Sequence, residues 1–288
     1  MSLPAKFFRF VLEYHLFIGV CTLALWWSTS LVFKLNPFPP AEAIMLFSGT
    51  VCYYNLHKLA YTIHGFNPIK WMVQIRIAFL RPIDLFSIVI PALFFAASLF
   101  DYCPLLNIYF LIALILPLLY SFPIFVRKGS PVRLREIPMF KIMTIAAGYT
   151  LLTVYFPIWN ELKKLTPSIH CYAAGYFILI ASLCIPFEIR DEKKERLRNV
   201  PTLLSHGLKK VKVISLSSIA IAMICSLCCW FLNVFPANVS LAFVFVYLIS
   251  GVWILRARSD WPNWYFKFGV DGTMILFSIF LILFKLWH

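Results

Sequence analysis

The chain has 288 residues, of which 61% are hydrophobic and only 13% charged. Its mean hydropathy is +0.84 and its formal net charge +14. A soluble domain carries roughly 45–50% apolar and about 25% charged residues, so this composition excludes an ordinary soluble globule. A bilayer requires backbone polar groups to be satisfied within helices or a closed barrel. The apolar runs are continuous over about 18–24 residues, whereas barrel strands alternate over about 10, so the sequence predicts an all-α integral membrane protein.

Nine transmembrane helices are predicted, at 10–33, 41–63, 82–100, 104–126, 137–158, 168–187, 213–233, 237–256 and 266–287. Lys6 and Arg9 precede the first, and no small-residue cleavage site follows, so it is expected to be an uncleaved span. Turn and interfacial residues mark several links: Asn36-Pro37-Phe38-Pro39-Pro40, Asp101-Tyr102-Cys103-Pro104 and Trp261-Pro262-Asn263-Trp264.

The basic residues segregate to one side. Of 26 Lys and Arg, the first, third, fifth and seventh links, on the outer face, hold only Lys34, Lys163 and Lys164, and Lys285 ends the last span there. All others fall at the N-terminus, in the links 64–81, 127–136 and 188–212, near the start of the last span, or (Lys58 and Lys141) just inside spans on that same side. The positive-inside rule places that face, and the N-terminus, in the cytoplasm, with a bacterial inner membrane as the simplest setting. The net charge thus reflects topology and anionic lipid, not nucleic acid.

The eight cysteines are scattered, and Cys225, Cys228 and Cys229 lie in an apolar span without His or carboxylate neighbours, as small packing residues do. Cys103 and Cys171 both fall near the outer face, which leaves a pairing open. No zinc-type Cys pairs, Walker loop or GxSxG elbow occurs.

Chemistry is expected at the cytoplasmic links, because the two long ones are 64–81 and 188–212. The chain reads as one transmembrane domain, 1–288, with these links capping a site. Trp71, Met72, Ile75 and Phe79 give the first link an interfacial helical face, either a lid or a surface connector. In the second, Glu188, Asp191 and Glu195 share one stripe if the sixth span continues as a helix. Three carboxylates on a stripe need a counter-charge. Arg190, Lys194 and Arg198 supply it in one reading; in the other a hard divalent ion does, with a diphosphate completing the shell.

The run Glu188-Ile189-Arg190-Asp191-…-Glu195-…-Asn199-Val200-Pro201-Thr202-Leu203 resembles the second aspartate-rich motif, (N)DxRDxxxDxxxGxxTL, of the UbiA superfamily of intramembrane prenyltransferases. Leu119-Tyr120-Ser121-Phe122-Pro123, followed by Arg133-Leu134-Arg135-Glu136-Ile137-Pro138 and Lys141, is similar to that family's LYSxP segment and the basic run after it. The resemblance implies a nine-helix UbiA-like bundle that transfers an isoprenoid from a prenyl diphosphate to a small aromatic or lipid acceptor. It also implies Mg2+ on Glu188, Asp191 and Glu195. Arg133, Lys141 and Arg190 then carry phosphate charge, and Asn55, Lys58, Tyr120 and Arg190 serve at the reacting mouth. A metal and basic side chains would neutralise the leaving diphosphate.

The family's first motif, NDxxDxxxD, is only partly present. Asn55 matches, but Leu56, Leu59 and Ile63 stand at the Asp positions, and none can bind a metal. His57, Lys58 and His64 make this segment basic instead. Lys58 either pairs with Glu188 or Asp191, or binds a phosphate directly where a metal would stand. The lost carboxylates leave a second reading open, a catalytically inactive homologue that binds an isoprenoid or supports a pathway complex. Asp84 reads as a charge near a helix N-terminus, Asp271 as the partner of a neighbouring cation, and Glu13 with His15 as a structural pair.

Overall fold

The computed structural model describes residues 3–35, 39–61, 82–102, 107–121, 125–127, 130–132, 134, 137, 139–197 and 203–287, with side-chain detail omitted at several of their ends. Ten helices organise it: α1 Leu3–Glu13, α2 Leu16–Phe33, α3 Pro40–Tyr61, α4 Pro82–Tyr102, α5 Ile108–Ser121, α6 Phe140–Leu162, α7 Pro167–Leu197, α8 Leu208–Phe231, α9 Ala237–Arg256 and α10 Thr273–Trp287. Seven segments among the described residues are long and apolar enough to cross a membrane, with α5 as a shorter apolar helix. The chain is an all-α integral membrane protein; length and apolarity alone give seven spans, and α3 and α5 complete the bundle around them.

Several expected boundaries shift for local reasons. The first span begins at Leu16, not at residue 10, because His15 adopts a left-handed conformation (φ 60°) that breaks the chain into α1 and α2. Helix α1 exposes Phe7, Phe8 and Phe10 and buries Leu12, as an interfacial helix does. Its Glu13 faces Arg9 at 3.6 Å and not His15. The fourth span ends at Ser121; Phe125–Arg127 and Ser130–Val132 form a two-stranded antiparallel hairpin instead of continuing the helix. The fifth begins at Phe140 and runs on to Leu162. The seventh starts earlier than expected, at Leu208. The link 64–81 lies outside the described residues, while 188–197 belongs to α7, which shortens the second long link.

Two helices carry π-helical segments, Leu151–Tyr155 within α6 and Tyr265–Val270 ahead of α10. The first precedes Pro157, whose ring nitrogen offers no N–H to the preceding turn, and widening the turn accommodates that missing bond.

Packing closes the bundle through α2. It contacts α3 on one side and α10 on the other, and α7 packs on α6, α8 and α9. The Tyr176 hydroxyl on α7 donates to the Leu25 carbonyl at 2.6 Å, and the Ser28 and Ser278 hydroxyls meet at 2.7 Å. Such bonds act where no hydrophobic force separates helix from lipid. Helix α4 packs on α3 by one face and leaves Leu93, Phe94 and Phe100 exposed. Helices α2 and α3 approach closely at Gly19, where an added Cβ would lie 2.8 Å from the Phe47 ring and 2.9 Å from Val51. Gly19→Ala is expected to destabilise the bundle by about 1–3 kcal/mol, read as a lower melting temperature in detergent.

Candidate ligand-binding site at the basic end of the bundle

A cavity of about 420 Å³ opens at the end of the bundle that carries the basic links. Its mouth is made by Lys58 near the end of α3, Lys141 at the start of α6, Arg190 and Asp191 on α7, and Lys267 in the π segment before α10. Its floor is apolar: Phe17, Ile18, Ile145, Ile180, Leu183 and Met274. A hydrophobic pocket with a few convergent polar groups is the form that ligand sites commonly take.

Helix α7 sets the acidic side. It runs unbroken past the apolar stretch to Leu197, so Glu188 and Asp191 lie one turn apart and both line the cavity. Glu188 is ion-paired with Lys141 at 2.6 Å, with side chains only 6% and 11% exposed. Asp191 takes a bidentate pair from Arg190, Nε to Oδ1 at 2.8 Å and Nη2 to Oδ2 at 2.9 Å. The Arg190 guanidinium also lies 4.9 Å from the Phe187 ring centre and 5.4 Å from that of Phe266, so aromatic faces hold it in place.

Lys58 has a different partner from the one expected. Its ammonium stands 3.8 Å from the Asp84 carboxylate at the start of α4 and 5.2 Å over the Tyr14 ring, not against Glu188 or Asp191. The reason is positional, because α3 packs on α4 along its length and brings Asp84 to its end. Lys58 nonetheless lines the same cavity as Glu188 and Asp191. Its side chain is 45% exposed, so the Asp84 contact is a weak restraint.

Asn55 is not a cavity residue. It is buried, and its Nδ2 donates to the carbonyls of Tyr14, Val51 and Ser87 at 2.9–3.2 Å. Its Oδ1 then faces the His15 Nδ1 at 3.1 Å, so that nitrogen carries the proton. Burial first, then the Lys267 cation, push the His15 imidazole down to about 4, and it is neutral at physiological pH. One amide thereby fastens the left-handed break between α1 and α2 to α3 and α4. From the other side, Lys267 donates to the Leu12 carbonyl in the last turn of α1 at 3.0 Å.

Tyr120 and Ser121 close α5 against α3. The Ser121 hydroxyl lies 2.9 Å from His57 Nδ1 and 3.4 Å from the Tyr53 hydroxyl, while the Tyr120 ring packs 5.1 Å from the His57 ring and lines the cavity. Arg133 and the side chain of Glu195 lie outside what the structure describes. Lys267, Asp271, His15 and Tyr149 complete the lining. Sequence reasoning assigned Lys267 only to topology; its i, i+4 spacing to Asp271 was the available signal, and the charges of Lys267 and Arg190 both act on Asp271.

Two of the three carboxylates expected to hold Mg2+, Glu188 and Asp191, are engaged by cations, and the side chain of the third, Glu195, is not described. Lys141 and Arg190 already neutralise Glu188 and Asp191. The facing turn of α3 offers Leu56, His57 and Lys58 in place of carboxylates. No group of three His, Cys, Asp or Glu side chains able to hold a metal occurs among the described residues.

The chain has the fold of UbiA-type membrane proteins. A UbiA homologue from Archaeoglobus fulgidus bound to GPP and Mg2+ superposes with a TM-score of 0.64 at 12% identity, over 96% of this chain and 98% of that one. The same homologue bound to DMAPP and Mg2+ gives 0.62 at 13% identity, over 96% and 98%. Bound to Cd2+ it gives 0.60 at 14%, over 96% and 99%. No protein-family model and no curated protein matches the chain.

The Lys141–Glu188 pair gives a direct test of the mouth's architecture. Lys141→Met leaves Glu188 buried without its closest cation and is expected to cost about 3–5 kcal/mol. Adding Glu188→Leu should recover most of that loss, in the same melting assay.

Proposed function

We propose that this protein binds a prenyl diphosphate at the basic mouth and transfers its isoprenoid to a small aromatic or lipid acceptor within the membrane. The observation that carries this reading is the convergence of Lys58, Lys141, Arg190 and Lys267 over an apolar floor. That pairing of a polyanion site with a greasy chamber suits a ligand with a diphosphate head and a hydrocarbon tail. The structural neighbours bound to GPP and DMAPP support it.

In the reaction proposed, the bond between the prenyl C1 and the diphosphate oxygen breaks, and the electron pair leaves with the diphosphate. The four cations oppose the charge that develops there. The allylic cation is held against the π-faces of Phe17, Tyr54 and Tyr149, which line the chamber below. The acceptor's nucleophilic atom then bonds to C1 and loses a proton. Charge neutralisation rests on Lys and Arg, with His57 and Lys58 lying between Leu56 and Leu59, the positions where the resemblance would place metal-binding carboxylates. The segregation of Lys and Arg to the links at this end supports a mouth that faces the cytoplasm. Arg133 and Glu195 remain candidates for the head-group shell on sequence grounds.

The basic turn at His57-Lys58 and the engaged carboxylates on α7 favour a second reading in one respect: ligand binding without turnover. Titration of the purified protein with farnesyl diphosphate addresses the first step. Binding is expected to persist in EDTA and to weaken at least tenfold in Lys58→Ala. Unchanged binding in that variant removes Lys58 from the site. Prenylated product, detected by mass spectrometry after incubation with a membrane-lipid extract, separates transfer from binding alone.

A further inference from the structure

The end of the bundle opposite the basic mouth holds a group of thiols that the cavity does not use. Cys171 lies in the second turn of α7 and Cys229 in the last turn of α8. These helices pack on each other, and the Cys171 and Cys229 thiols share a hydrogen bond. Both are free, Cys171 exposed and Cys229 half-buried. The Cys229 carbonyl accepts from the Val234 and Phe235 amides of the following link at 2.8 and 3.2 Å, so this residue stands at the very edge of its span. Helix α9 holds the other two in register. Its Tyr247 hydroxyl donates to the Gly175 carbonyl at 2.8 Å, one turn along α7 from Cys171, and its Ser240 carbonyl accepts from the Ser226 hydroxyl of α8 at 3.3 Å. Cys103, whose pairing with Cys171 the sequence leaves open, lies outside the described residues.

We infer that Cys171 and Cys229 are a disulfide-forming pair, closed by exchange with a disulfide oxidant at the membrane face away from the basic links. The inference is independent of what the mouth binds. Thiols already in hydrogen-bond contact need only a short approach to reach a bond length of about 2.05 Å. Pairing across the helices is also favoured over pairing within α8, where Cys225 and Cys228 lie close to Cys229. Residues three or four apart on a helix have Cβ atoms about 5–6 Å apart, a disulfide needs about 3.5–4.5 Å, and adjacent residues do not face each other. Placement supplies the oxidant: the segregation of Lys and Arg supports a cytoplasmic basic end, which leaves the thiols on the side where disulfides persist. In the exchange, the Cys171 sulfur attacks one sulfur of the oxidant, whose S–S bond breaks, and the departing thiolate takes up the Cys171 proton. The Cys229 sulfur then attacks that of Cys171, and the second oxidant thiol leaves with the Cys229 proton. Two cysteine thiols are oxidised and one disulfide is reduced to two thiols. The bridge joins α7 to α8 across 58 positions of chain, at the end of α7 remote from Glu188 and Asp191.

The test uses the full-length protein in detergent, incubated with glutathione disulfide, alkylated with N-ethylmaleimide, digested without reductant and read by mass spectrometry. The expected product is a peptide pair joined between Cys171 and Cys229, about 2 Da lighter than its two reduced halves and separated by dithiothreitol. The oxidised protein should melt at least about 4 °C above the reduced protein. Cys171→Ser and Cys229→Ser should each abolish the joined peptide and the gain, while melting like the reduced wild type. The double variant Cys225→Ser, Cys228→Ser should keep both. No joined peptide in the wild type, a bridge from Cys171 to Cys225 or Cys228, or glutathione retained on Cys171 overturns the pair. A joined peptide without a higher melting temperature also overturns it, since the bridge would then form outside the native packing of α7 on α8.

Discussion

Charge in a hydrocarbon-embedded bundle must be met by charge, and the Lys141–Glu188 pair is where this chain meets that requirement. Both side chains are almost fully buried, and each is costly without the other. Their contact ties the start of α6 to the last part of α7's apolar stretch. Asp191 and Arg190 stand one turn beyond, and Lys58 and Lys267 complete the rim from α3 and the approach to α10. The cavity lies where these charges converge from four parts of the bundle.

That arrangement gives the mouth its chemical character. Four cations line the cavity, Lys58, Lys141, Arg190 and Lys267, against three carboxyl groups, Glu188, Asp191 and Asp271, and this balance suits an anionic head group. Asn55 and Lys267 then fix the break at His15 from opposite sides, so that Leu12 of α1 forms part of the cavity wall. An interfacial helix is thus built into the site.

Much of this was legible in the sequence. Apolar run length and the distribution of Lys and Arg yield the bundle and its basic face, because both are local properties of the chain. The stripe Glu188–Asp191 was legible for the same reason, since helical spacing alone puts the two on one face. Its partners were not. Lys141 is 47 positions from Glu188 and Lys58 is 26 from Asp84, and only the packing of α6 on α7 and of α3 on α4 decides which charges meet. The break at His15 carries no Gly or Asn to announce it, and Asn55, from a different helix, holds it in place. A second cavity of about 360 Å³, beside the one at the basic mouth and lined by α3, α4, α5 and α6 with Gly148 among its residues, has no sequence signature at all, being shaped by how those helices pack.

The π segment in α6 has a bearing on how that helix may be read. A π turn takes in one residue more than an α turn, so the helix beyond it is rotated by about 100° relative to an unbroken one. Up to Tyr149, α6 faces the two chambers; beyond Leu151–Tyr155, the rotated phase carries Phe156, Pro157 and Ile158 into the bundle's interior, where all three are buried. A helical wheel drawn through Phe140–Leu162 as one helix therefore superimposes two phases, and the apolar faces of its halves cancel. The wall of the chambers and the packing of the outer half are in this way set independently along a single helix, and a change in one half need not turn the other.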